Sequence, residues 1–127
     1  MGLFQVEVAV SDAQRQRFEE LQPWVDTGAL ISQFPGDFLE ELGYEADTTS
    51  NFRLADGSVI ERQIGDVRIR IGREVRTIPC VFGEVGVETL LGATALEIFR
   101  LSADPVSQTL NPVMGLMLTM FPAEKPS

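Results

Sequence analysis

The sequence predicts a mainly β, single-domain protein with one or two short helices, and three observations carry that expectation. Apolar residues alternate with polar ones at Phe4, Val6, Val8 and Val10 and again at Val67, Ile69 and Ile71, the period of two that turns one strand face to a core. An Asp56-Gly57 pair lies between strand-like runs, where a hairpin turn is expected. The 127 residues suffice for one domain that buries roughly two-thirds of the surface its unfolded chain exposes. No repeat, linker or low-complexity stretch divides the chain, so residues 1–127 read as a single unit.

Taken in order, the first element is a half-buried strand over Leu3 to Val10. Ser11 to Gln22 is polar and charged and reads as a surface connection. Pro35 to Leu42 predicts a short helix, with Pro at its start, Phe38, Leu39 and Leu42 on one face, and Gly43 as its stop. Phe52 to Ala55 runs into Asp56-Gly57, which favours a type I′ turn because both residue types tolerate positive φ. Ser58 to Ile64 returns, Val67 to Ile71 alternates, and Gly72-Arg73 turns the chain into Val75 to Phe82. Thr94-Ala95-Leu96-Glu97 has the capping-box pattern of a helix start, with Leu96 and Phe99 on the apolar face. Asp104-Pro105 and Asn111-Pro112 punctuate the C-terminal strands.

Composition narrows the chemistry. Ten Lys and Arg against 19 Asp and Glu give a net charge of −9, which repels phosphate backbones and anionic headgroups. Neither nucleic acid nor a membrane surface is an expected partner. Arg68, Arg70, Arg73 and Arg76 alternate within a strand pattern and read as a solvated sheet face. The single Cys80, in an apolar run, excludes an intrachain disulfide and a cysteine-cluster zinc site, and reads as a core residue. The chain has no His, which removes Ser-His-Asp chemistry and His-ligated metals. Acid–base work is left to carboxylates, and neither a metal nor a cofactor is expected. The N-terminus lacks the basic and apolar regions of a signal peptide, so a cytoplasmic location is expected.

Two glycine motifs stand out. Pro23-Trp24-Val25-Asp26-Thr27-Gly28-Ala29-Leu30 sets one carboxylate on a glycine turn directly after an apolar stretch. Glu88-Thr89-Leu90-Leu91-Gly92-Ala93-Thr94 then closes an apolar pair with glycine just before a helical pattern. An Asp-Thr-Gly triplet alone is short and most often marks a turn. With apolar residues before it, Ala after it and the second signal at this distance, the pattern resembles the retropepsin-like family of single-domain, retroviral-type aspartic proteases. The resemblance runs from about Val25 to Val113; residues 1–22 and the C-terminal tail carry no matching motif.

The resemblance implies a closed β-barrel with a flap hairpin, and a homodimeric endopeptidase acting on peptide or protein substrates. One Asp-Thr-Gly supplies one carboxylate, so a working pair requires Asp26 from each of two subunits. Thr27 matches the position whose hydroxyl crosses the dimer axis, Gly28 the tight turn, and Ala29 a small residue beside the substrate. Leu54, Ala55, Asp56 and Gly57 match the flap that folds over substrate. Leu90, Leu91 and Gly92 match the structural element that supports the catalytic loop. Trp24 is bulkier than the aliphatic residue common in its place, and Leu30 stands where many relatives have Ser, Thr or Asp. The apolar run Val113 to Phe121 suits either a dimer sheet or an internal strand. An alternative from another class is a dimeric peptide-binding or regulatory module on the same fold, catalytically silent or acting on a single target. An apolar-ligand β-barrel explains neither glycine motif.

Overall fold

The longest strand organises the molecule. In this computed structural model, which describes residues 3–113, β6 (Val59–Ile71) alternates inward and outward residues and pairs antiparallel with β7 (Glu74–Gly83) from Ile64 to Ile71. Val67 and Ile69 of β6 and Ile78 and Cys80 of β7 are fully buried, as a period of two requires. The turn between them is the two residues Gly72-Arg73, with Gly72 at φ +62°, the position that a type II′ turn gives to glycine.

Around this pair the sheet curls and closes. β1 (Val8–Ser11) pairs antiparallel with β6 on one side. On the other, β4 (Ser32–Pro35) lies parallel to β7 and is followed by β8 (Leu90–Leu91) and then β3 (Trp24–Val25). Residues just ahead of β1 complete the circuit: Val25 N–H donates to Phe4 O at 2.8 Å, Leu3 N–H to Val25 O at 2.7 Å, and Val6 N–H to Pro23 O at 3.0 Å. The run from Leu3 to Val10 is thus one extended path that changes partner midway, from β3 to β1's neighbours. Inward residues Val8, Val10, Val25, Phe34 and Leu91 join the β6–β7 residues in one core.

Two short helices cover that core. α1 (Gly36–Glu41) buries Leu39 and ends at Gly43, φ +95°, whose N–H bonds Glu40 O while Tyr44 N–H reaches Leu39 O. That pair of bonds is a glycine-terminated helix end of the Schellman type, as the expected stop at Gly43 required. α2 (Ala93–Ile98) contributes Ala95 and Leu96, with Phe99 just beyond. After it, β9 (Leu101–Asp104) and β10 (Thr109–Pro112) form a separate antiparallel pair.

Three local expectations are corrected. Ser11 to Gln22 is not only a connection, because it contains β2 (Phe18–Leu21), paired with β1 as an edge strand. The Asp12 carboxylate builds its turn by accepting from Gln16 N–H at 2.7 Å and Arg17 N–H at 2.9 Å. The half-buried residues of β2, Phe18 and Leu21, are three apart, so no strand alternation betrays it. At Asp56-Gly57 only Gly57 has positive φ (+91°), and Gly57 N–H bonds Leu54 O, so the turn is a type I turn closed by a glycine bulge, not type I′. The capping box at Thr94 does not form, since α2 begins two residues earlier than that box would start it, at Ala93, and Gly92 occupies the cap. Of the run Val113 to Phe121, all but Val113 lies outside the described residues; Val113 N–H donates to Arg100 O.

Candidate active site

Strand β3 delivers Asp26. It is short because its neighbours leave it two residues of pairing, Trp24 with Leu90 and Val25 with Leu91, in parallel register with β8. Asp26 N–H continues that ladder to Leu91 O at 2.9 Å, and the chain then turns sharply. Gly28 N–H donates to Asp26 Oδ1 at 3.0 Å and Ala29 N–H to Asp26 O at 3.2 Å. A Cβ on Gly28 would stand 3.3 Å from the same Oδ1, so glycine leaves the carboxylate its room. Asp26 is 8% exposed while Thr27 and Gly28 beside it are exposed. The carboxylate therefore sits at the floor of a loop whose rim is open.

The loop is held from beneath by the second glycine motif, 60 residues away. Leu91 is fully buried, and Gly92 packs against the backbone that follows Asp26. A Cβ there would lie 2.8 Å from Ala29 O and 2.8 Å from the Ile31 carbonyl carbon, a distance side chains do not tolerate. That approach lets three successive N–H groups grip one segment: Gly92 N–H bonds Ser32 Oγ at 2.9 Å, Ala93 N–H bonds Ala29 O at 2.8 Å, and Thr94 N–H bonds Leu30 O at 3.0 Å. The free donors at the start of α2 are thereby satisfied by the candidate catalytic loop rather than by a side chain of the helix itself. Ser32, 1% exposed, is the residue that sequence reasoning missed. A small hydroxyl six residues after Asp26, at the head of a strand, was its only signal.

The hairpin of β5 (Thr48–Arg53) and β6 stands apart. Among the described residues β5 pairs only with β6, and β6 residues 59–63 have left β7 behind, so the two strands form an arm beyond the barrel. At its tip Leu54, Ala55, Asp56 and Gly57 are all exposed. Their bonds are among themselves and their neighbours: Leu54 N–H to Ser58 O at 2.8 Å, and Arg53 Nη1 to Gly57 O at 3.1 Å. Asp56 Oδ1 accepts from the Ser58 hydroxyl at 2.6 Å and its N–H at 2.9 Å, and these bonds hold the Asp56 carboxyl below its ordinary range. None of these bonds reaches the Asp26 loop. Nearer the arm's base, Arg62 Nη2 lies 3.3 Å from Glu84 Oε1 on the connection to β8.

Cys80 belongs to the core. It is fully buried, and desolvation pushes its thiol up to about 12, which leaves no thiolate for nucleophilic work at neutral pH. Among the described residues no group of three or more His, Cys, Asp or Glu side chains could hold a metal ion. No helix among them is long and apolar enough to cross a membrane.

The curled sheet, two covering helices and projecting hairpin make this the retropepsin-like fold of the retroviral proteases. The chain is similar to the solution structure of simian foamy virus (mac) protease, with 15% identity over 75% of this chain and 93% of that one, at a TM-score of 0.53. It is also similar to EIAV protease in complex with an inhibitor, with 18% identity over 75% of this chain and 86% of that one, at a TM-score of 0.56. No family model and no curated protein sequence matches the chain.

Proposed function

We propose that the chain is a homodimeric aspartic endopeptidase. The observation that carries this reading is the Asp26 carboxylate at the floor of a glycine turn, on a loop pinned by β8 and α2, within a fold shared with retroviral proteases. One such loop supplies half of a catalytic pair. The other half is Asp26 of a second copy, brought together on a two-fold axis. Two carboxylates about 3 Å apart cannot both ionise and so share a proton. The charged one removes a proton from water as the water oxygen bonds to the peptide carbonyl carbon. The protonated one hydrogen-bonds the carbonyl oxygen through the tetrahedral stage. Collapse breaks the C–N bond, and the proton taken from water passes to the leaving amine. No cofactor enters.

The remaining residues take supporting roles in this reading. Thr27, exposed beside Asp26, reaches across the axis to the opposite loop. Ala29 leaves room for substrate. The Leu54–Gly57 tip closes over the bound peptide and excludes water.

The test compares peptide-library cleavage by wild type and Asp26→Asn, with the mass of each measured by sedimentation at the assay concentration. The expected result is cleavage by a dimeric wild type and none by an equally dimeric variant. Equal turnover by Asp26→Asn would sink the mechanism. Peptide capture by the wild type without cleavage would assign the peptide-binding module instead.

A further inference from the structure

A side chain closes the root of the β5–β6 arm where the strand ladder runs out. On its edge away from β7, β6 carries two strands in succession: β1 opposite Ile69 and Arg70, and β5 opposite Val59 to Ile64. Residues 65–68 lie between the two pairings. Continued by one residue, the β1 register would set Ser11 opposite Arg68 and bond their main chains directly. The Tyr44 hydroxyl stands there instead. It donates to Ser11 O at 2.6 Å and accepts from Arg68 N–H at 3.2 Å, so one phenol completes a rung between the two strands. Tyr44 N–H is itself fixed on Leu39 O at 3.0 Å, at the end of α1, and its ring packs against the core. From there the chain follows β6 closely into the arm. A Cβ on Gly65 would lie 3.1 Å from Glu45 O and 3.4 Å from Ala46 Cα. Asp47 N–H then donates to Ile64 O at 3.0 Å, one residue before β5 begins.

We propose that Tyr44 is a positioning residue for the β5–β6 arm, its hydroxyl pinning the arm's root to the barrel in the pose that receives a peptide. The peptide part rests on the endopeptidase reading above; the pin rests on the Ser11–Tyr44–Arg68 bridge alone. Removing the hydroxyl takes one partner from Ser11 O and one from Arg68 N–H. Water from the adjoining cavity of about 180 Å³, whose lining includes Asp12, Arg15, Arg68 and Thr77, can satisfy both groups. It cannot tie either of them to residue 44. The loss therefore falls on the arm's placement more than on global stability. An arm held in its receiving pose only part of the time weakens peptide binding by that fraction. It leaves the chemistry at Asp26 unchanged once the arm has closed, so KM moves and kcat does not.

The experiment reads amide hydrogen exchange and peptide turnover in wild type and in Tyr44→Phe, which keeps the ring. In the wild type, Arg68 N–H should be protected and should exchange in one class with Asp47 and the bonded β5 amides. In Tyr44→Phe, Asp47 and the β5 amides should exchange about tenfold faster, with Ile78 and Gly92 unchanged. KM should rise by about two- to tenfold at nearly constant kcat, and peptide affinity of the two proteins carrying Asp26→Asn should fall by the same ratio. Unchanged arm exchange in the variant, or acceleration shared equally by Ile78, would overturn the pin. Faster arm exchange with KM and affinity unmoved would overturn the positioning role and leave the protease standing. If the wild type cuts no peptide, the protease reading falls, and arm exchange with the affinity ratio still decides for or against Tyr44. Should Tyr44→Phe lose its thermal transition, the wild-type profile decides. Arg68 exchanging with Asp47 and the arm supports the pin; Arg68 unprotected, or exchanging with the core instead, overturns it.

Discussion

Replacing Ser32 by Ala tests the clamp beneath Asp26 directly. Ser32 Oγ accepts the Gly92 N–H at 2.9 Å in a position 1% exposed, and Ala would leave that donor buried without an acceptor. An orphaned buried donor costs about 1–3 kcal/mol, a sizeable share of the roughly 5–15 kcal/mol that holds a domain together. For a chain of this size each kcal/mol moves the midpoint by about 4 °C, so a fall in Tm of about 4–12 °C is expected. Ser11→Ala is the matched control. Ser11 is equally buried and donates to Asp12 O at 2.8 Å, but that carbonyl also accepts from Arg15 N–H and keeps a partner when the hydroxyl is gone. Its loss should cost about 0.5–1.5 kcal/mol. Urea titration gives both values, with an unchanged slope confirming that the unfolding transition is the same. Amide hydrogen exchange supplies the local readout, in which Gly92 loses protection before Val67 and Ile78 of the core do. A Ser32→Ala protein no less stable than Ser11→Ala, with Gly92 still protected, would refute the claim that this hydroxyl holds the loop.

Three further outcomes follow from the same geometry. Gly92→Ala places a Cβ 2.8 Å from Ala29 O, and should destabilise by about 1–3 kcal/mol, measured by denaturation; under the proposed peptidase reading it should also lower turnover more than it raises KM in steady-state kinetics. The Arg17 N–H, with that of Gln16, holds the Asp12 carboxyl below its ordinary value. Because the folded-state value is the lower one, the stabilisation is present above pH ~4 and disappears as pH falls through the folded value. The Tm gap between wild type and Asp12→Ala should accordingly be widest at pH 5–7 and close toward about pH 2, which thermal scans across that range will check. Cys80, with its thiol raised to about 12 by desolvation, should resist a thiol-specific reagent at about pH 8 in the native protein and react promptly in guanidinium.

The parts of the fold that the sequence announced are those whose signal is local. Val67, Ile69 and Ile71 alternate because β6 has one buried face, and Gly43 ends α1 because a left-handed residue is needed there. What stayed hidden depends on partners distant in sequence or on a choice between two permitted conformations. β2 reads as a connection because Phe18 and Leu21 carry no alternation and its turn is made by a carboxylate, Asp12, that looks like any other. Asp56-Gly57 suits either of two hairpin turns. The choice goes to the one in which Asp56 bonds Ser58 and only Gly57 takes positive φ.

The start of α2 shows the limit most clearly. Thr94 and Glu97 have the spacing to cap a helix by themselves, yet the helix begins at Ala93 because acceptors for its first N–H groups arrive from Ala29, Leu30 and Ser32. Local pattern cannot foresee a cap contributed from 60 residues away. The same fact joins the two glycine motifs, since the helix start at Gly92 takes its acceptors from the segment that follows the turn at Gly28. It also divides the loop's labour. Main-chain oxygens of residues 29 and 30 and the hydroxyl of residue 32 face inward to α2, and the exposed side chains of the loop are Thr27 and Leu30. Substitutions at Ser32 and Gly92 should therefore change how firmly Asp26 is held, whereas substitutions at the exposed Thr27 and Leu30 should leave that support intact.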